Sequence, residues 1–321
     1  MTRSRTLVFL ALAFALPAAA GAQAAPPLST FSIVACDPRA GFWGVAVQSR
    51  VVGAGSIVPA AEAGAGAIAT QAQANVSFKR RGLELLRAGR TAGEVHDDFV
   101  AGDPGIAYRQ FAVADRECRV AAFTGDSTSA WAGHRAGPHF SVQGNILTGP
   151  EVVDAMARAY QQADSAGRPF GERLLAALKA GQAAGGDRRG RQGAGMLIVK
   201  RGAGYGGGDD VYADLHVEDH VEPILELERV YGVWMSLFHP EDHFLPSGSQ
   251  AVAAPSGPHV CLLRNLLARA GHGTPTQAQS CAFDEDVIPA LKAFQRAQDL
   301  PVRAALTPET AARLRQAAGE P

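Results

Sequence analysis

Several groups of residues in this sequence could do chemistry. Gln143-Gly-Asn145 sets a side-chain amide beside a residue with no Cβ. An Asn there can donate to a developing oxyanion, or it can cap a strand end. His134 follows Trp131-Ala-Gly in a glycine-rich stretch that reads as a loop of the kind that lines sites, although a lone His also serves as a hydrogen-bonded structural group. Asp187, Arg188 and Arg191 occupy a turn. An Arg in such a turn can clamp a substrate carboxylate bidentately, and the same residues read as a solvated ion-paired loop. Asp209, Asp210, Asp214, Asp219 and His220 resemble an acid cluster, with Asp210 assigned to substrate binding. Their spacing does not match an EF-hand. His216 and His220 lie four apart on an expected strand, which does not give the helical His pair of a zincin. No metal site and no cofactor are therefore expected. Ser32 and Ser49 lie in no Gly-x-Ser-x-Gly elbow, so a serine triad has no motif behind it.

The elements that must position these residues follow from periodicity and punctuation. Residues 30–36 and 42–48 are apolar, β-rich runs separated by Asp37, Pro38 and Gly41, a hairpin with turn chemistry between its strands. Residues 67–71 read as a third short strand among glycines. A helix is expected from about Asn75, with Phe78, Gly82, Leu85 and Leu86 on one face and Gly89 at its end. Thr91-Ala-Gly-Glu94 is a capping-box pattern opening a second helix. Strands are expected at 107–114, 119–124 and 140–147, helices after Pro150 and Pro169, strands at 194–200 and 211–217, and an amphipathic helix over 223–238. Hairpins alternating with helix pairs give an α+β class.

In order along the chain stand Thr30-Phe-Ser-Ile-Val-Ala35, Gly44-Val-Ala-Val47, Val52-Gly-Ala-Gly55, Val58-Pro-Ala60 and Ala67-Ile-Ala-Thr-Gln-Ala72. Trp131-Ala-Gly-His134, Gln143-Gly-Asn-Ile-Leu147, Gly185-Gly-Asp-Arg-Arg-Gly190, Gly204-Tyr-Gly-Gly207 and Asp214-Leu-His-Val-Glu-Asp-His220 follow. This series resembles the domain-of-unknown-function family 1028, which is placed among the N-terminal-nucleophile hydrolases. The resemblance implies a four-layer α-β-β-α sandwich over 29–238 and hydrolysis of an amide or peptide bond in a small substrate. It makes Thr30 the nucleophile, with its own α-amine as base. An α-amine titrates near 8, so it can be neutral near physiological pH. That chemistry needs a cut between Ser29 and Thr30; otherwise Thr30 is a β-propensity residue at a strand start. On this reading Asn145 and His134 join Thr30, and Gly64, Gly66 and Gly144 leave room for a substrate.

The 321 residues are 47% hydrophobic and 19% charged with a formal net charge of −1, which is globular composition without the basic surplus of a nucleic-acid binder. Residues 1–24 read as a secretory signal: Arg3 and Arg5, an apolar run over 7–16, then Ala22-Gln-Ala24. That run is shorter than the roughly 20 residues a membrane helix needs. The mature protein is thus expected in the periplasm or outside the cell, without a membrane span. Export permits disulfides, and Cys36, Cys118, Cys261 and Cys281 allow three complete pairings. Cys261–Cys281 is favoured, since both lie in the C-terminal segment; Cys36 and Cys118 read as buried thiols or as a bridge.

Residues 239–257, rich in Pro, Gly and Ser, read as a linker to a helical unit over 258–318. Val260, Leu263 and Leu267 mark one helix, Val287, Leu291 and Phe294 a second, and Thr307-Pro308 opens a third. The stretch from Ala290 through Phe294-Gln295 to Thr307-Pro-Glu-Thr310 resembles peptidoglycan-binding domains, with Arg303-Ala-Ala305 where their Asp-Gly loop stands. Cell-wall fragments are the partner this implies, and self-association is compatible with the sequence. The two functions in view are an exported amide hydrolase held at the cell wall and a non-catalytic envelope-binding protein that retains the fold.

Overall fold

The first hairpin is closed by its own turn residues. Asp37 Oδ1 accepts from the amides of Arg39 (3.0 Å) and Ala40 (3.1 Å), and Gly41 takes the φ of 72° that closes the turn. The strands it joins are β1 (Thr30–Asp37) and β2 (Phe42–Ser49), each buried along its whole length. The structure is a computed structural model that describes residues 30–239, 258–273, 287–300, 302 and 308–319.

The class is α+β with antiparallel sheets. After β2 come α1 (Ala54–Ile57), β3 (Pro59–Glu62), β4 (Gly66–Ala72), α2 (Ser77–Arg87), α3 (Ala92–Gly102), β5 (Arg109–Asp115), β6 (Val120–Thr124), β7 (Trp131–Gly137) and β8 (Phe140–Leu147). Then follow α4 (Glu151–Ser165), α5 (Phe170–Ala183), β9 (Gly193–Val199), β10 (Val211–Val217) and α6 (Pro223–Phe238). One sheet has the order β10-β9-β2-β1-β8-β7, the other β3-β4-β5-β6. Alternation along β1 divides the core. Phe31, Ile33 and Ala35 pack with Met156, Leu174 and Leu178 of α4 and α5, while Val34 and Cys36 pack with Ala67, Ala69, Ala112 and Ala114 of the second sheet. Small side chains on that facing surface let the sheets approach. The outer face of the second sheet is covered by α2 and α3, where the Phe78 and Phe99 rings stack at 4.0 Å with Phe111 edge-on. Each such fully buried side chain contributes roughly 1.5–3 kcal/mol.

The capping box forms as its residues require: the Glu94 amide donates to Thr91 Oγ1 (3.2 Å) and the Thr91 amide to Glu94 Oε2 (2.8 Å). Three short elements escaped the sequence pattern, namely α1, β3 and β7. The strand expected from 107 begins only at Arg109, after a 3₁₀ turn over Ile106–Tyr108.

Cys36 and Cys118 form a disulfide, which settles the alternative left open by their positions. It ties the end of β1 to the β5–β6 turn, and closing its 82-residue loop stabilises the fold by roughly 4–5 kcal/mol in a chain-entropy account. Cys261 is disulfide-bonded as well; Cys281 lies outside the described residues, as do 1–29, where a secretory signal is expected, and 240–257. C-terminal to these are α7 (Pro258–Arg269), α8 (Val287–Ala297) and α9 (Pro308–Ala317), which share a core of Leu263, Leu267, Leu291, Phe294 and Leu314. Among the described residues no helix is long and apolar enough to cross a membrane.

Candidate functional site

The start of β1 lies where several strand ends meet. Thr30 pairs with Ser49 of β2 on one side and Asn145 of β8 on the other. Its side chain points toward the second sheet, and Oγ1 donates to Ser49 Oγ at 3.1 Å. Two residues on, Ser32 Oγ donates to Gln71 Oε1 of β4 (2.6 Å) and accepts from Gln143 Nε2 of β8 (2.6 Å).

Gln110 of β5 is the hub between the sheets. Its Oε1 accepts from Gln71 Nε2 (2.8 Å) and Asn145 Nδ2 (3.0 Å). Its Nε2 reaches Gly144 O (2.8 Å) and Thr124 Oγ1 (2.9 Å). Gln71 and Asn145 also approach Thr30 O, at 3.4 and 3.5 Å. Thr124 Oγ1 meets His134 Nδ1 at 2.9 Å. Burial lowers the His134 pKa, and the charges of Arg135 and His96 lower it further, so the ring is neutral at neutral pH. Thr30, Asn145 and His134 therefore belong to one connected network of uncharged groups. Thr30, Gln71, Gln110 and Asn145 are buried, a position amides tolerate only when bonded.

Asn145 also lines a small, open cleft with Ala72, Gln73, Tyr108, Ser127, Thr128, Ser129 and Ile146. Two of these have left-handed backbones, Ala72 at φ 65° and Ile146 at φ 51°. For a β-branched residue this is an outlier costing on the order of 1–3 kcal/mol. The strained position is held from both sides: the Ile146 amide donates to Ser129 O (3.2 Å), and Ile146 O accepts from the Arg188 amide (3.1 Å). That clamp fixes the direction of the neighbouring Asn145.

The other expected site residues divide. Asp187 lies at this end, bridged to Leu147, but it is buried and accepts from the amides of Arg50 (3.1 Å) and Arg189 (2.8 Å), so it shapes the turn. The Arg188 side chain is exposed, and Arg191 is ion-paired with Glu222. Asp210 is at the opposite end of the sheet, where its Oδ1 accepts from the Gly202 amide (2.7 Å). It precedes Val211, whose register runs through Val199 and Trp43 to Cys36, so it is roughly 20 Å along β1 from Thr30. His134 is on strand β7 rather than in a loop. Of the three glycines, Gly66 pairs with Asp115 at that opposite end, and a Cβ on Gly144 would run into Leu147; close packing explains both better than room for a substrate.

The acid cluster does not assemble: among the described residues no group of three or more His, Cys, Asp or Glu could hold a metal. Asp214 instead pairs with His216 Nε2 (2.8 Å), whose Nδ1 is 3.4 Å from Ser56 Oγ. This triad-like trio has no built oxyanion hole. The Ser56 and Ile57 amides are spent on Gly53 O, and Glu218 competes for Nδ1 at 3.4 Å.

Sequence reasoning missed Gln71 and Gln110. Their signal was a carboxamide inside an apolar strand, where a glutamine must find partners across the sheets.

A family profile described as "Family of unknown function (DUF1028)" matches residues 30–227. No curated protein matches. Among solved structures, protein SPO2555 from Silicibacter pomeroyi, described with the same family, is similar at 29% identity and a TM-score of 0.59, over 70% of this chain and 97% of that one.

Proposed function

The chain belongs to the DUF1028 family of unknown function, and on that premise we propose that it is an exported amide-bond hydrolase of the N-terminal-nucleophile type. The observation that carries this reading is the register of Thr30 against Asn145, an amide that also lines the cleft. In the reaction, a cut before Thr30 frees its α-amine. That amine takes the Oγ proton as Oγ attacks the substrate carbonyl, and the Asn145 amide stabilises the oxyanion. The proton passes to the leaving amine, and water then hydrolyses the Thr30 ester, returning Oγ–H and releasing the acid. The arrangement of two antiparallel sheets packed face to face, with helices outside both, supports the four-layer sandwich of that hydrolase class. The test is a chain beginning at Thr30, which hydrolyses a member of a broad amide panel while its Thr30→Ala form does not. Equal activity in both would assign the chemistry elsewhere.

The same proposal includes export, with loss of residues 1–24, and attachment to the cell wall through the C-terminal helices. Phe294 is buried in the helical core and Gln295 Nε2 bonds Thr310 Oγ1 at 3.4 Å, so the residues that carried the peptidoglycan-binding resemblance hold the unit together. Intact-mass measurement of the exported protein and co-sedimentation with purified sacculi, with and without residues 258–318, test these parts. A specific observation favours the second reading, a non-catalytic envelope-binding protein: in the full chain Thr30 is 0% exposed. Detection of Ser29 still joined to Thr30 in the mature protein would select it.

A further inference from the structure

We propose that the cleft beside Thr30 is a subsite for a small, uncharged acyl group carrying hydrogen-bonding oxygen, such as an acetyl, glycolyl or lactyl amide, and that it rejects charged groups. That this group is then cleaved from its amine rests on the hydrolase reading; that the cleft binds it does not.

The lining supplies the argument. Its functional groups are the carboxamides of Gln73 and Asn145, the hydroxyls of Ser127, Thr128 and Ser129, and the Tyr108 phenol at a half-exposed position. Thr128 Oγ1 is committed to Gly125 O at 2.7 Å. The side chains of Gln73, Ser127 and Ser129 have no hydrogen-bond partner among the described residues, so they can serve a ligand. No carboxylate, amine or guanidinium lines the space. Arg109 is next in sequence to Tyr108, but it is spent on Asp103 Oδ2 (2.9 Å) and Gln73 O (2.6 Å). A charged group in the cleft would lose water without gaining a counter-charge, whereas a neutral amide or hydroxyl exchanges its water for protein partners. The enclosed part of the cleft has room for about one water-sized group, so it takes only the carbonyl or hydroxyl end of a small acyl group, whose remainder lies in the open mouth. The left-handed backbones of Ala72 and Ile146, both in the lining, are a second, independent pointer, because strained residues gather where a structure holds a ligand.

Side-chain amide signals of Gln73 and Asn145 in the ¹⁵N-labelled full chain report occupancy. The probes are acetamide, glycolamide and lactamide, against the anion malonamate and the cation glycinamide. The expected result is that the neutral probes shift both signals and bind at least about tenfold more tightly than either charged one. Ser129→Phe, at an exposed position, fills the cleft and should abolish these shifts with an unchanged thermal midpoint. The proposal is overturned if the charged probes bind as well, if the shifts persist in Ser129→Phe, or if no neutral probe moves either signal. Two outcomes separate it from the hydrolase reading. Cleavage of charged acyl amides by a chain starting at Thr30 removes this proposal and leaves that reading; neutral binding without cleavage does the reverse.

Discussion

The two ends of strand β1 are built from different chemistry. At the Asp37 end the connections are ionic and covalent. Arg173 joins Asp37 (2.9 Å) and Asp164 (2.6 Å), buried Asp115 accepts from the Ala92 amide (2.9 Å) and Arg119 Nε (2.8 Å), and Cys36–Cys118 ties the sheets. At the Thr30 end the sheets are joined through uncharged amides and hydroxyls centred on Gln110, beside a cleft. Both ends contain left-handed residues other than glycine. Cys118 (φ 59°) and His139 (φ 65°) adjoin the disulfide, whereas Ala72 and Ile146 line the cleft. The first pair serves a closed structure, the second an open site. The contrast lies in what joins the two sheets: a covalent bond at one end and neutral amides and hydroxyls at the other, where ion pairs such as Asp187–Arg189 and Asp103–Arg109 hold turns rather than the sheet-to-sheet contact.

The largest effect expected is at the open end. In a chain starting at Thr30, Thr30→Ala should abolish amide hydrolysis, and Asn145→Ala should reduce kcat on the order of a hundredfold, both measured on the best substrate of the panel. The covalent end should answer in stability alone. Replacing both Cys36 and Cys118 by Ala should cost about 4–5 kcal/mol in denaturant unfolding and leave the cleft signals of Gln73 unchanged. A loss of cleft binding there would break the division between the ends.

Paired substitutions sharpen it. Arg173→Met leaves buried Asp37 without its cation and should cost about 3 kcal/mol. Gln110→Leu strands the amides of Gln71 and Asn145, costs roughly 1–3 kcal/mol for each group left unsatisfied, and should also weaken cleft binding. The Arg173 variant should not. The smallest effect is in pH. Because burial and neighbouring cations depress the His134 pKa, the unfolded chain binds a proton that the folded one refuses. Stability from this group is therefore full above about pH 6.5 and falls as pH drops from there through the lower folded value. His134→Gln should remove that slope from a series of unfolding curves between pH 7 and 5; an identical slope would assign it to other groups.

Much of the scaffold was legible because single residues forced it. Asp37-Pro-Arg-Ala-Gly41 dictated a hairpin and Thr91 and Glu94 a helix start, and the strands Phe140–Leu147 and Val211–Val217, where apolar and polar residues are interleaved, have bounds that match their sequence reading. Trp131–Gly137 was not legible as a strand. It is an edge strand of half-exposed Gly, Ala and polar residues with no alternation, and only its ladder with β8 makes it one. His134 was consequently read on the wrong kind of element though in the right neighbourhood. Asp210 was joined to the site because it is near other acids in sequence, but a hairpin places its ends a full strand length apart.

By itself the sequence determined the α+β class, the family membership, most of the helices and strands, and three residues that belong to one network. The class and the elements were legible because turn chemistry, capping and periodicity act over a few residues, whereas the family and the choice of Thr30 came from the resemblance of the ordered motifs. Which glutamines hold Thr30, Asn145 and His134 together was decided only by tertiary structure. Gln71 is 39 residues from both Ser32 and Gln110, and Gln110 is 35 from Asn145; such pairings come from sheet register and sheet-on-sheet packing, which no local pattern encodes. The cleft is likewise a tertiary product. Its walls come from the end of β4, the turn before β5, the segment before β7 and the end of β8, and they enclose a space only once two sheets have packed face to face.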